Sequence, residues 1–295
     1  MFRNLRYFRF DADWPATEEA VSDALGNAAF EACGPLTERS SGWVPVRPDA
    51  GELLARRVAG ADLLLMRSQS RVLPAAAINE ALEARVEEFR ARTGEIPGAR
   101  EKRRLKAETR DRLLPQAMLK SDRIWGYVDP GERIIGIDSA QEAVAERFLR
   151  RLKAAFGDLP VKPLDFREPV RGLLTRIFLG NAPRQFALGR ECRMQDAKDP
   201  GAIVRWSEFD LQEKSIRDHV ADGMLLKDLA IEYDNLLGCV LDEKGVLRKL
   251  RFLGVDDAAE DGDDELARFD AGFALATGTL RRLLGDLGKL LGGYA

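Results

Sequence analysis

The chain is short of the residues on which most enzyme sites are built. It has 295 residues but only three cysteines and a single histidine, His219. Cys33, Cys192 and Cys239 are far apart, odd in number and form no C-x-x-C pair. Such cysteines read as small buried apolar residues in a reducing compartment, not as a disulfide framework. With no paired cysteines to join His219, a zinc site is excluded. No P-loop, G-x-G-x-x-G, G-x-S-x-G or H-E-x-x-H motif occurs. No apolar run approaches the roughly 20 residues needed to span a bilayer, and the uncharged stretch Ala271 to Leu280 is too short. The opening Met1-Phe2-Arg3-Asn4 lacks the apolar core of a signal peptide. A cytoplasmic, non-catalytic protein without cofactor or membrane attachment is therefore expected. Excess positive charge is also missing: the formal net charge is -3. That is unusual for a nucleic-acid binder, although a local basic stripe can coexist with an acidic exterior.

What is present is a well-charged globular composition, 45% apolar and 32% charged. A chain of this length buries about 75% of its unfolded surface. Residues 2–10 read as a strand, Pro15 with Glu18 and Glu19 opens a helix, and Ala61 to Met66 is a buried strand. Gly34-Pro35 and Gly42-Trp43-Val44-Pro45 punctuate a loop region. From Pro74 the period turns helical through Ile78, Leu82, Val86 and Phe89. Gly94-Glu95-Ile96-Pro97-Gly98 interrupts it, and a second helix runs from about Ala99 to Leu114, making a helical hairpin. Its distal part has few large apolar residues and is expected to project. Ile124–Val128 and Ile134–Ile137 flank Asp129-Pro130-Gly131-Glu132, which fits a type II turn. Gln141 to Phe156 is an amphipathic helix, Leu159 to Leu164 is extended, and Val170 to Leu179 is a short helix. Strands follow from Phe186 to Phe252, with a helix near Ser215 to Ala221. A second hairpin joins Asn235–Leu241 to Val246–Leu253. A long amphipathic helix through Phe273, Leu280, Leu283 and Leu287 ends the chain. Hairpins mixed with helices argue an α+β fold with antiparallel sheets. The expected division is a body of residues 1–73 and 121–255, a projecting arm of 74–120, and an acidic linker with terminal helix over 256–295.

Charge is concentrated in the predicted hairpin, which has ten basic against six acidic residues between Ala84 and Arg112. Arg100, Lys102, Arg103 and Arg104 sit at its core. Such a segment binds phosphate and releases condensed counterions, or is simply a solvated hairpin laced by pairs such as Glu108–Arg112. Arg248, Lys249 and Arg251 form a second basic element, with Lys249 and Arg251 sharing a strand face. Arg67 and Arg71 bracket a polar turn. The acidic run Asp256, Asp257, Glu260, Asp261, Asp263, Asp264 and Glu265 lacks the rigid frame of a two-metal nuclease and reads as a solvated linker.

After the basic segment comes Leu113-Leu114-Pro115-Gln116-Ala117-Met118-Leu119-Lys120, an apolar, Pro-broken element expected at the end of the arm. It resembles the Leu-Leu-Pro-Arg-Ala-Phe element of the recombination-associated RdgC family. The flanks carry the same likeness in order: Phe2-Arg3-Asn4-Leu5, Gly42-Trp43-Val44-Pro45, Val72-Leu73-Pro74, Leu159-Pro160-Val161-Lys162-Pro163-Leu164, Asp210-Leu211, Arg248-Lys249-Leu250-Arg251-Phe252 and Arg268-Phe269-Asp270-Ala271-Gly272-Phe273. The resemblance implies a ring-shaped homodimer around double-stranded DNA. Its partners would be DNA, bound with little sequence preference, and a second copy of the chain; it would sit on the nucleoid and restrain RecA-promoted recombination. The basic residues expected to contact DNA are Arg67, Arg71, Arg100, Lys102, Arg103, Arg104, Lys120, Arg205, Lys249 and Arg251; the resemblance implies one dimer contact at the end of the arm, through Leu114, Pro115, Met118 and Leu119, and another near the acidic linker and terminal helix. Three departures stand out. Gln116 and Met118 replace the family's Arg and Phe, Ser207-Glu208-Phe209 stand where two basic residues and Gln precede Asp-Leu, and Gly94–Gly98 breaks the arm. The second of these favours an alternative, a homodimeric interaction protein whose DNA binding is weak or lost. Convergence of Arg67, Arg71, Arg205, Lys249 and Arg251 on one concave surface would distinguish the two.

Overall fold

The strands form two antiparallel sheets in the computed structural model, which describes residues 2–47, 51–253 and 265–295. The first sheet contains β1 (Arg6–Phe10), β2 (Arg39–Val44), β3 (Ala55–Val58), β4 (Ala61–Val72), β5 (Met118–Asp129), β6 (Ile134–Ile137) and β7 (Val161–Pro163). Its order is β2-β4-β5-β6-β1-β7, with β3 also paired to β4. The second contains β8 (Phe186–Asp196), β9 (Ile203–Ser207), β10 (Met224–Tyr233), β11 (Leu237–Asp242) and β12 (Leu247–Phe252), in the order β12-β11-β10-β8-β9. The helices are α1 (Glu18–Gly26), α2 (Ala75–Thr93), α3 (Ala99–Leu113), α4 (Glu142–Phe156), α5 (Val170–Phe178), α6 (Lys214–Ala221) and α7 (Glu265–Leu290). The α+β expectation holds.

The continuous apolar run in β4 follows from burial of the first sheet on both faces. Leu63 and Leu65 join Tyr7 and Tyr127 in one cluster, which α5, α7 and the second sheet complete. Leu64 and Met66 point the other way and join Phe8, Phe10, Trp43 and Ile124 under α1 and α4. Helix α4 presses close enough that a Cβ on Gly126 would stand 2.5 Å from the Phe148 ring. Helix α7 is tied to both sheets: Arg281 Nε donates to the buried Asp129 on β5 (2.8 Å), and Tyr233 on β10 donates to Asp286 (2.7 Å). The main chain adds a direct join. Leu5 and Leu247 exchange hydrogen bonds of 2.7 and 2.9 Å, and Leu250 N donates to Arg3 O (2.9 Å).

Several boundaries differ from expectation. The hairpin between β5 and β6 forms, but Gly131 is not left-handed, so the turn is not type II; Arg133 takes the positive φ, 55°, instead. The Asp129 carboxylate accepts from Glu132 N (3.1 Å), which stabilises the turn locally. Strand β4 continues to Val72, six residues beyond the apolar run, because β2 and β5 still pair with it there. The stretch read as a loop near Gly42 is strand β2. The element Leu113–Lys120 lies at the root of the α2–α3 hairpin rather than its end. Leu114–Gln116 form a 3-10 turn and Met118–Lys120 already belong to β5. The turn joining the two helices is Gly94–Gly98, with Gly94 closing α2 at φ 75°. The acidic run from Asp256 to Asp264 lies outside the described residues; Glu265 opens α7.

Asp62, at the start of β4, is a fully buried carboxylate. Arg57 grips it with Nε and Nη2, both at 2.7 Å, and Trp14 Nε1 donates at 2.6 Å. Asp62→Ala leaves the Trp14 indole N–H unpaired and strips Arg57 of its carboxylate, while Arg57 keeps the carbonyls of Pro15 and Ala16, and should cost about 1–3 kcal/mol. Urea unfolding followed by tryptophan fluorescence measures it; a loss below about 1 kcal/mol would show that water replaces the carboxylate.

Candidate nucleic-acid interface

Beyond Met66, β4 reads Arg67-Ser68-Gln69-Ser70-Arg71, and its apolar helix cover ends. The face that α4 covers continues as two polar rows across β2, β4 and β5. Ser41, Ser68 and Asp122 form the first row, and Arg39, Ser70 and Lys120 the second. Side chains two apart on a strand share a face, so these rows extend the one holding Trp43, Met66 and Ile124. Helix α4 walls the near side. Its Arg147 donates to Ser68 Oγ (3.3 Å) and its Arg151 to Ser41 Oγ (2.9 Å). Helix α3 walls the far side, where Arg103, Lys106 and Arg110 share a cavity of about 840 Å³ with Arg39 and Ser70.

This trough is short of negative charge. Its two acids are already engaged, Glu38 by Arg110 (2.7 Å) and Asp122 by Lys120 (3.3 Å). Arg39, Arg103, Lys106, Arg147 and Arg150 have no carboxylate partner within 4.0 Å among the described residues. The crowding acts on Arg147. Burial holds its guanidinium below the usual arginine range, and the nearby charges of Arg39 and Arg150 lower it further, against Asp122. Like charges held together over a floor of hydroxyls favour an anion placed between them. Guanidinium and hydroxyl donors of this kind suit phosphate oxygens.

Of the residues expected to contact DNA, Arg103 and Lys120 lie in the trough, and Arg71 lines the same cavity as Arg103. Arg67 is on the opposite sheet face, its guanidinium 4.8 Å from the centre of the Phe30 ring. Arg71 is a brace. It donates to the carbonyls of Gly34 (3.0 Å), Pro115 (3.1 Å) and Ala117 (3.1 Å), holding the hairpin root against the loop before β2. Arg104 pairs with Glu101, and Glu108 pairs with Arg85 (2.8 Å) rather than Arg112. Lys102 lines an adjoining cleft between α2 and α3 that shares Arg103 and Lys106 with the trough and also holds Glu83 and Glu87, and Arg100 is exposed in the first turn of α3. Arg205 is exposed on β9, at the far edge of the second sheet from Lys249 and Arg251 on β12. Arg67, Arg71, Arg205, Lys249 and Arg251 therefore do not converge on one surface.

The second sheet is more balanced in charge. A cavity of about 910 Å³ is lined by Arg3, Arg190, Lys249 and Arg251, but also by Glu191, Glu208 and Glu232. Lys249, left-handed at φ 51°, pairs with Glu191 on β8 at 2.5 Å. Glu208 is also left-handed, at φ 55°, and its carbonyl accepts from Arg190 (3.0 Å). The expected dimer residues divide. Leu114 is buried within its own chain, whereas Pro115, Met118 and Leu119 are exposed, Met118 to 80%. Val72, opposite Met118 in register, extends this apolar patch.

Sequence reasoning missed Arg39, Arg147, Arg150 and Arg151 and counted Lys106 only in the hairpin's charge. The spacing of Arg147, Arg150 and Arg151 by three and four, beside a core-facing Phe148, was the available signal. Other chemistry has little support. His219 stacks on Trp206 at 5.1 Å. Burial pushes the thiols of Cys192 and Cys239 up to about 12. Among the described residues no group of three or more His, Cys, Asp or Glu could hold a metal ion, and no helix is long and apolar enough to cross a membrane.

Comparison with known proteins sets this geometry in a family. A family model described as "Putative exonuclease, RdgC" matches residues 1–294. The recombination-associated protein RdgC of Stenotrophomonas maltophilia (strain R551-3) is 33% identical over 287 residues, covering 96% of this chain and 95% of its own. The protein of the same name from Edwardsiella ictaluri (strain 93-146) is 32% identical over 296 residues, covering 99% and 98%. That from Pseudoalteromonas atlantica (strain T6c / ATCC BAA-1087) is 30% identical over 285 residues, covering 95% and 94%. A match along essentially the whole chain, with relatives at this identity and coverage, means that the chain belongs to the RdgC family.

Proposed function

We propose that this chain is a non-catalytic, sequence-nonspecific binder of double-stranded DNA that restrains RecA-dependent homologous recombination by covering the duplex. The observation that carries the reading is the trough, where Arg39, Arg103, Lys106, Arg147 and Arg150 have no carboxylate partner among the described residues, over a floor of Ser41, Ser68 and Ser70. Arginine, lysine and serine donors bind phosphate oxygens, which occur at every step of a duplex, so such contacts position DNA without reading its bases. Strand-exchange machinery is excluded by occupancy. The working form is a homodimer joined through Met118 and Leu119, closing as a ring that holds DNA topologically. Local charge then suffices despite a net charge of -3. Its place is the cytoplasm, on the nucleoid. The printed names of the relatives, recombination-associated proteins, support the same process.

A second reading, a homodimeric interaction protein with weak DNA binding, draws on Glu208 and on the paired cations of the second-sheet cavity. Titration of a short fluorescent duplex separates the two. The first reading expects tight binding that is equal across sequences and falls steeply with salt. Arg39→Gln with Arg150→Gln, both exposed, should lower the slope of log K against log salt by about 1.8, at about 0.9 per phosphate contact. Arg205→Gln with Arg251→Gln should leave it nearly unchanged. No binding by the parent protein at low salt would favour the interaction protein.

The family description raises nuclease activity, which needs its own assay. Linear duplex incubated with the protein and Mg²⁺ or Mn²⁺ should remain full length on a gel, and progressive shortening would refute the non-catalytic reading. For the dimer, Met118→Asp places a carboxylate in the apolar contact, which is costly. Light scattering should then report the monomer mass, and an unchanged dimer mass would remove this patch from the interface.

A further inference from the structure

At the opposite edge of the first sheet from β2 lies a second basic pocket, of about 540 Å³. Four cations reach it from separate elements: Arg9 on β1, Arg133 in the turn before β6, Lys153 on α4 and Lys162 on β7. Phe10, Pro160 and Val161 supply apolar wall, and Asp11 is the one carboxylate in the lining. Arg133 already engages Asp11. Lys162 donates to the carboxylate oxygen of Ala295, the last residue of the sequence (2.9 Å). Lys153 has no carboxylate partner among the described residues.

Arg9 is the informative member. Its guanidinium lies over the Tyr294 ring, 5.2 Å from the centroid, which fixes its plane. Its Nε is buried and has no hydrogen-bond partner. Arg6, Arg217 and Arg248 have a buried, unpartnered Nε as well, so what Arg9 brings to this pocket is its charge, held in place beside three further cations, which an anion from outside the chain would balance. A planar guanidinium matches the oxygens of a phosphate group in a fork. Burial raises the Tyr294 phenol most, Glu132 raises it further, and Arg9 lowers it. With Asp11, Glu132 and the carboxylate of Ala295 all counted against the four cations, one positive charge remains.

We infer that this pocket binds a small phosphate-bearing molecule, its phosphate on Arg9, Lys153 and Lys162 and its remainder against Phe10, Pro160 and Val161. The volume lies within the range of small-molecule sites, and a nucleoside monophosphate is a suitable probe. Trough and pocket occupy different strands, β2-β4-β5 against β1-β7, so this site stands independently of the trough and its proposed ligand.

Calorimetric titration of the full chain with inorganic pyrophosphate, adenosine monophosphate and adenosine tests it. The two phosphate compounds should saturate one site per chain, and adenosine should not bind. Lys153→Glu with Lys162→Glu should weaken both phosphate compounds at least tenfold while leaving duplex affinity and the circular dichroism spectrum unchanged. If that variant does not fold, Lys153→Gln alone should weaken them several-fold. Arg150→Gln in the trough should leave their binding unaltered. No saturable binding at millimolar probe, equal binding of adenosine, or undiminished binding by a folded pocket variant would each overturn the inference.

Discussion

The first sheet is longer than the helices that cover it, and this mismatch shapes the candidate site. Strands β4 and β5 run twelve residues each. Apolar cover from α1 and α4 extends to Met66 and Ile124. Inside that limit both faces must be apolar, which accounts for Leu63-Leu64-Leu65-Met66. Beyond it the same pairing continues with nothing apolar to pack against. Serine, arginine and lysine take over in the next rows, while main-chain hydrogen bonds keep the strands together. A basic trough is then a consequence of geometry: hydroxyls on the floor, the middle of α4 on one side and α3 on the other.

Charge pairing separates this region from the second sheet. Both have several arginines and lysines, yet in the second-sheet cavity Lys249 and Arg190 face carboxylates, and nearby Arg193 binds Asp228 (2.7 Å). Their positive charge is largely spent within the protein. In the trough the two acids are each taken by one cation, and five cations remain. A count of basic residues along the chain does not distinguish the two regions.

The fold class, both sheet-one hairpin strands flanking Asp129–Arg133, α4 and the long α7 were legible because each rests on local periodicity. Strand β2 was not, since Gly42 and Pro45 resemble loop punctuation, nor was the β10–β11 hairpin, whose turn uses Asp234 and Asn235 at φ 53° and 55° in place of glycine. The interface was only partly legible. Arg103 and Lys120 were found because they stand in or beside a dense basic run. Arg39 and Arg147 come from segments with ordinary composition and meet only through β2–β4 register and the placement of α4. Arg71 lines the same cavity, but its guanidinium donates to three main-chain carbonyls, which the sequence does not reveal.

Strand β1 has a consequence for how the chain is made. It lies between β6 and β7, and Leu5 just before it pairs with Leu247. Strand β1, once made, therefore waits for residues 134–137 and 161–163 before its two edges are covered. At ordinary rates of translation that interval is on the order of ten seconds. During it the aromatic segment Arg6-Tyr7-Phe8-Arg9-Phe10 is open to wrong pairing with other nascent chains. Arg6 and Arg9 place like charges in a strand that would otherwise be wholly apolar, so two nascent copies repel. The residue that orients toward the small basic pocket in the finished protein thus also guards its strand before the sheet exists.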